Sequence, residues 1–172
     1  MSQIEISDAF DSGNIEVVSV DGASARLSIR KDHNSHFNQW FHFRVSGCAG
    51  REVVLRIIGL GGSAYPMGWP NYRAAMSFDR QDWLRAETQW DEGAEGGTLT
   101  IRARPLGDLA WFAYFAPYSL ERHHDLVSRM AARSGVSHAS LGLTLDARPI
   151  DCLTMGSGPL NVWLIARQHP GE

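Results

Sequence analysis

The sequence predicts a mainly β protein: an antiparallel β-sandwich over the first two thirds, followed by a shorter segment of α/β character. Three observations carry this reading. Up to about residue 115 the chain is a series of short runs rich in Val, Ile and aromatic residues, several with period-two alternation. Gly, Asp, Asn and Ser separate those runs with no helical period between them, which favours antiparallel pairing over a parallel sheet with crossover helices. From Ser119 onward the apolar period changes to that of a helix.

NIEVVSV and SARLSIR form the first pair of strands, and residues 20–23 between them, Val-Asp-Gly-Ala, carry the Asp-Gly signature of a tight hairpin turn. WFHFRVSG and REVVLRIIG supply the next two. GTLTIRAR follows a flexible connector with Gly93, Gly96 and Gly97. The aromatic run WFAYFA, residues 111–116, ends at Pro117 and is expected to close the sandwich. In SLERHHDLVSRMAARSG, Leu120, one of His123 and His124, Val127, Met130 and Ala131 fall at helical spacing. Ser119 is a candidate N-cap, Glu121 lies early, and Arg129 and Arg133 lie late, as the helix dipole favours. Gly135 is expected to end that helix.

ASLGLTL and IDCLTMG then flank a turn at residues 146–149, and a Gly156-Ser157-Gly158-Pro159 break leads into LNVWLIA. That last run reads as a strand buried on both faces. The expected domains are 1–116, the sandwich, and 117–172, a strand-turn-strand unit without the helices needed to cover a buried strand. Such a unit is an incomplete core, so the chain is expected to be the front part of a longer protein.

Composition narrows the function. With 44% apolar and 20% charged residues and a net charge of -3, the chain reads as an ordinary globular protein and not as a basic nucleic-acid binder. No apolar stretch approaches the roughly 18 residues of a membrane helix, and MSQIEISDAF lacks the basic start and apolar centre of a signal peptide, so the expected compartment is the cytoplasm. Cys48 and Cys152 form no C-x-x-C and are expected to be free thiols.

The chemistry lies at the tail, ARQHPGE. Pro170 and Gly171 occupy the central positions preferred by a type II turn, whose outer residues approach within about 7 Å between Cα atoms. Those outer residues are His169 and Glu172. An imidazole and a carboxylate aimed at a common point suit zinc, which in a catalytic site takes one more protein ligand and keeps a position for water. From spacing alone a solvated turn explains the same four residues.

RQHPGE after an apolar strand resembles the first zinc-binding motif of the zinc metallocarboxypeptidases, and the longer match is to their cytosolic carboxypeptidase branch. SGNIEVV, DHNSHFNQWFHFRVSG, AYPMGWPNYRAAMSFDRQDWLR, WFAYFAPYSLERHHDL and LGLTLDARPIDCLTMGSG carry it along nearly the whole chain. The resemblance implies an N-terminal sandwich followed by the beginning of an α/β carboxypeptidase domain, cut at its first metal motif. It implies that His169 and Glu172 are two of three ligands to Zn2+. The third ligand, the general-base glutamate and the substrate-binding arginine of the family lie beyond Glu172, so no catalytic residue falls within this chain, which alone is expected to be inactive. The implied reaction is hydrolysis of C-terminal residues, glutamate among them, from peptides or proteins. The implied partners are peptide or protein C-termini, with the sandwich packing on its own catalytic domain and with neither nucleic acid nor membrane. Asp146-Ala147-Arg148-Pro149 departs from the Asp-Gly turn of many relatives at that place.

Other polar residues have plainer readings. His33 and His36 read as solvated loop histidines, Asp79 and Asp82 as turn caps, and Arg122 as a salt-bridge residue at the domain junction. His123 and His124 point about 100° apart, one packed and one wet. The six tryptophans raise a competing function, a carbohydrate- or protein-binding β-sandwich module. Trp69, between Gly68 and Pro70, is the one expected at the surface.

Overall fold

Alternating apolar side chains assemble two five-stranded sheets whose inner faces make one core. The structure, a computed structural model, describes residues 3–166. Its strands are β1 (Glu5–Ser7), β2 (Glu16–Asp21), β3 (Ser24–Ser28), β4 (His42–Ser46), β5 (Val53–Ile57), β6 (Ala75–Ser77), β7 (Leu84–Arg85), β8 (Glu87–Asp91), β9 (Thr98–Ala103) and β10 (Leu109–Ala113). Helix α1 (Leu120–Ala131) and strands β11 (Val136–Leu143) and β12 (Pro149–Met155) follow. The chain divides into two compact units, one ending at Pro117 and one beginning at Tyr118.

In the first unit the sheet orders are β1-β4-β10-β6-β7 and β2-β3-β5-β9-β8. The mainly β, sandwich-like expectation is met, with one correction to its purely antiparallel pairing: β3 and β5 run parallel. The intervening strand β4 belongs to the other sheet, so the chain crosses the sandwich and returns beside β3 in the same direction. All five alternating runs expected as strands are strands. The first half of the aromatic run lies in β10, which sits between β4 and β6 in the interior of its sheet and closes no edge. Strands β1, β6, β7 and β8 gave no clear signal, three of them being only two or three residues long. β7 and β8 are separated by Ala86 alone, where the chain steps from the edge of one sheet to the edge of the other.

The first hairpin turn is displaced by one residue from its Asp-Gly signature. Asp21 pairs with Ser24, leaving Gly22 and Ala23 as the loop, and Gly22 takes the positive φ of 57° that a side chain would strain.

Between the sheets, Leu27, Phe43, Val45, Leu55, Ile57, Leu99, Ile101 and Phe112 are fully buried. Phe43 and Phe112 stack at 5.6 Å across adjacent strands. Burying each such side chain is worth about 1.5–3 kcal/mol. Trp69 corrects the surface expectation, because it is 0% exposed. Its flanking Gly and Pro mark a 3-10 turn, Pro66–Gly68, that tips the indole inward. There it stacks on Trp90 at 6.3 Å, meets Tyr72 and Tyr114 edge-on, and donates its N–H to Ser63 Oγ at 2.8 Å.

In the second unit, Ser119 caps α1 by accepting from the Arg122 N–H. Leu120, His123, Val127, Met130 and Ala131 form its half-buried face against the β11–β12 hairpin, while His124 is exposed. The helix stops before Gly135, its C-cap being Ala132; Gly135 (φ 78°) lies in the turn into β11. The turn at 146–149 is present, and Ala147 adopts a φ of 58°, a left-handed conformation that costs a residue with a Cβ about 1 kcal/mol. LNVWLIA corrects another expectation. Residues 160–166 form no strand, and Leu160 is 85% and Leu164 95% exposed. A buried strand needs hydrogen-bonding neighbours and covering layers, and none of the described residues provides them.

Candidate functional site

The metal pair expected from the sequence, His169 and Glu172, lies outside the described residues. Among the described residues no group of three His, Cys, Asp or Glu is placed to hold a metal ion. Those residues present two other polar constellations, each built by a different local rule.

The first is centred on Asp151 in the second unit. Hairpin register places Ser140 opposite Asp151 and His138 opposite Leu153, so His138 and Asp151 are diagonal neighbours on one face. α1 lays His123 over that face. His138 Nε2 donates to one carboxylate oxygen at 2.6 Å, and His123 Nε2 donates to the other at 2.7 Å. The hydrogen bond from His138, then that from His123, holds the Asp151 carboxyl below the usual carboxylate range, so it is ionised at neutral pH. With its two oxygens each taken by a separate imidazole, Asp151 clasps the helix to the hairpin.

Replacing Asp151 with Asn is expected to loosen that clasp. Asn keeps one oxygen and puts an NH2 donor where the other carboxylate oxygen stood, so one imidazole N–H loses its acceptor, and the loss of a charge-assisted bond is worth about 1–2 kcal/mol at this partly exposed site. Amide hydrogen exchange along α1 should quicken about tenfold while the sandwich is unchanged. Unchanged exchange in α1 would remove the clasp from the account.

The second constellation lies on the outer face of the first sheet. β4 turns Phe43 and Val45 inward, so His42 and Arg44 point outward, as does Trp111 of β10, which pairs with Arg44. His42 is nevertheless 1% exposed. Phe10, Trp40, Trp83 and Trp111 surround its ring at 4.8–6.1 Å. Arg80 lies 4.9 Å above the Trp111 ring. Ser12 Oγ is 2.9 Å from His42 Nδ1, but Nε2 has no hydrogen-bond partner among the described residues. Burial, and then the nearby Arg80 charge, depress the imidazole pKa to about 4, against a smaller opposing pull from Asp11. The ring is therefore neutral, a packed core histidine on a face where alternation would place solvent.

Asp79, His33, His36 and the two cysteines keep their plain readings. The Asp79 carboxylate accepts from the N–H groups of Gln81 and Asp82 at 2.8 and 2.9 Å, as a turn cap does. His33 and His36 are exposed in a loop, and both cysteines are free. Arg122 lies 5.7 Å above the Tyr118 ring. Among the tryptophans of the sandwich, Trp69 and Trp111 are buried and Trp40, Trp83 and Trp90 half-buried, so much of their ring area fills the fold.

Residues 6–115 match the family model of the cytosolic carboxypeptidase N-terminal domain. The chain belongs to the cytosolic carboxypeptidase family. The resemblance drawn from the sequence motifs is thereby met, and the likeness runs on past the sandwich. A metallo-carboxypeptidase from Pseudomonas aeruginosa, solved in complex with (2-guanidinoethylmercapto)succinic acid, is 40% identical with a TM-score of 0.89 over 98% of this chain. A metallo-carboxypeptidase from Burkholderia cenocepacia is 39% identical with a TM-score of 0.85 over 92%. An uncharacterised protein of Zymomonas mobilis is 53% identical over 169 residues, 98% of this chain. The chain spans 43% of that relative's length, and 45% and 41% of the two solved carboxypeptidases. No helix among the described residues of this family member is long and apolar enough to cross a membrane.

The Asp151 clasp left no sequence signal, because His123 and His138 stand 28 and 13 residues from their common partner. The His42 nest is equally silent, since its lid residues come from four separate loops and strands.

Proposed function

We propose that this chain is the N-terminal portion of a cytoplasmic, zinc-dependent metallocarboxypeptidase that removes C-terminal residues, glutamate among them, from peptides or proteins. The observation that supports this best is the continuity of the likeness: about 40% identity to two metallo-carboxypeptidases extends through the second unit as well as the sandwich. In this reading His169 and Glu172 hold the metal through an imidazole nitrogen and a carboxylate oxygen, a donor set that suits zinc. Zinc so held supplies a Lewis acid that polarises a carbonyl and acidifies a bound water. The sandwich carries no share of that chemistry and packs on its own catalytic domain. The exposed Leu160, Val162, Trp163, Leu164 and Ile165 agree with this, being an apolar run that gains from burial under further chain.

The test uses the full-length protein purified without chelators. About one zinc per chain is expected, together with release of C-terminal residues from model peptides. Alanine at either His169 or Glu172 should remove most of the zinc and lower kcat/KM by at least about a hundredfold. Full zinc content and activity in both variants would overturn the assignment.

A further inference from the structure

We propose that Phe37, Tyr65 and Met67 form the surface on which the sandwich seats the part of the protein that follows Glu172. Phe37 precedes β4, and Tyr65 and Met67 lie between β5 and β6. The three side chains are 65%, 60% and 76% exposed. Single apolar residues are ordinary on a protein surface, but several large ones gathered in one place mark an interaction site.

Hydrogen bonds do the gathering. The Ala64 N–H donates to the Asn38 carbonyl at 3.1 Å. The Gln39 side-chain amide grips the Tyr65 backbone from both ends: its oxygen accepts from the Tyr65 N–H at 2.9 Å, and its nitrogen donates to the Tyr65 carbonyl at 3.4 Å. The segment bearing Phe37 is thereby lashed along the one bearing Tyr65 and Met67. Tyr65 is also fitted to its own turn, because a Cβ on Gly68 would lie 2.6 Å from the ring. Trp69, fully buried, anchors the end of that turn. A surface held in advance loses little entropy when something docks on it. Its neighbours Asp32, His33 and His36 are exposed and polar, the usual rim of an apolar docking centre.

The occupant follows from where the chain goes. Gln39 also donates to the Tyr114 hydroxyl oxygen at 3.3 Å, and Phe115 packs on Trp40 at 4.9 Å. Tyr114 and Phe115 lead out of the sandwich unit, which ends at Pro117, so the chain leaves that unit beside the patch. This chain spans 45% and 41% of the two solved carboxypeptidases. In a protein of that length more than half of the polypeptide follows this portion, tethered next to the patch at a high effective concentration. A small molecule suits the place less well, since it needs a concave site and these side chains stand out from the surface.

This inference rests on the reading of the chain as the N-terminal portion of a longer enzyme, and it names the surface that portion uses. The test is the rate at which dilute hydrogen peroxide oxidises Met67 in the full-length protein, followed by peptide mass spectrometry and compared with the urea-unfolded protein. Covered by downstream chain, Met67 should react at least about tenfold more slowly than when unfolded, and equally so at protein concentrations about a hundredfold apart. The double variant Phe37→Ser, Tyr65→Ser should raise the Met67 rate about fivefold or more, while Met76, packed against the core, keeps its native rate and reports an intact sandwich. Met67 oxidising at the unfolded rate in the native protein would overturn the proposal. So would protection that is lost on dilution, which assigns the surface to a second copy, or protection that survives in the double variant. The native rates decide the matter even where the variant fails to fold. The readout needs neither zinc nor turnover, so a metal-free, inactive protein that still shields Met67 keeps this surface and loses the hydrolase reading. An active zinc enzyme with a freely oxidised Met67 does the reverse.

Discussion

Replacing Trp69 with Ala should cost the sandwich about 3–5 kcal/mol, the range for deleting a fully buried large aromatic side chain. Three effects add. The ring contacts with Trp90, Tyr72 and Tyr114 disappear together, because all three rings meet at this one indole. The Ser63 hydroxyl, itself buried, loses the donor that Trp69 Nε1 provides. The cavity left behind is bordered by the Tyr72–Tyr114 stack, whose mutual hydrogen bond resists collapse into it. Domains are stable by about 5–15 kcal/mol, so a loss of this size should bring the sandwich close to its unfolding midpoint near physiological temperature. Urea unfolding followed by far-UV circular dichroism measures it, with Trp69→Phe as the milder comparison expected to fall between the two. A cost below about 1 kcal/mol for Trp69→Ala would mean that this indole does not organise the core.

Lowering the pH from 7 to 4 should cost the same unit about 3 kcal/mol through His42 alone. The sign follows from the two states. His42 titrates near 4 in the folded protein and near 6.5 once unfolded. Above 6.5 both forms are neutral, and the histidine makes stability independent of pH. Between 6.5 and 4 the unfolded chain takes up a proton that the folded chain refuses, so stability falls by about 1.4 kcal/mol per pH unit. Below 4 both forms are charged and the loss levels off. Asp8, despite its burial, Asp79 and Asp151 are held below the usual carboxylate range by the hydrogen bonds they accept and add their own losses only below the ordinary carboxylate pKa of about 4, while Asp32, pushed up by burial, contributes in the opposite sense as the pH falls toward that value. From 6.5 down to the range where carboxylates begin to titrate, the loss is therefore set chiefly by His42. Replacing His42 with Phe, a ring of similar size without the unpaired nitrogen, should flatten that window. A parallel pH dependence in native and variant proteins would assign the acid sensitivity elsewhere.

The two effects come from features that differ in how well they could be read in advance. Strands β2, β3, β4, β5 and β9 were legible because an alternating face is a local property, present within five or six consecutive residues. The helix was legible for the same reason, down to its Ser119 cap. Which of His123 and His124 turns inward was not, since the choice depends on the hairpin that α1 covers. The tryptophan between Gly68 and Pro70 looked like loop decoration because local composition reports flexibility and not the direction in which a short turn tips its side chain. His42 escaped notice for a related cause: alternation marks it as outward, and its burial is completed by Phe10, Trp83 and Trp111, which arrive from elsewhere in the chain beside the neighbouring Trp40.

LNVWLIA shows the limit from the other side. Its apolar content is real and predicts burial, yet a strand exists only where another strand accepts its hydrogen bonds, and residues 160–166 meet none among the described residues. The metal motif His169 and Glu172 was legible through its resemblance to a family motif, and it stands just beyond the described residues.

By itself the sequence determined the mainly β class, the strand and helix periods, and membership of the cytosolic carboxypeptidase family, because periodicity and motif are written in neighbouring residues. Only the tertiary structure decided the parallel β3–β5 pair, the burial of Trp69 and His42, and the Asp151 clasp. Each of those is a contact between segments far apart in the chain, set by which sheet edge or loop arrives alongside, and no local pattern encodes that arrival.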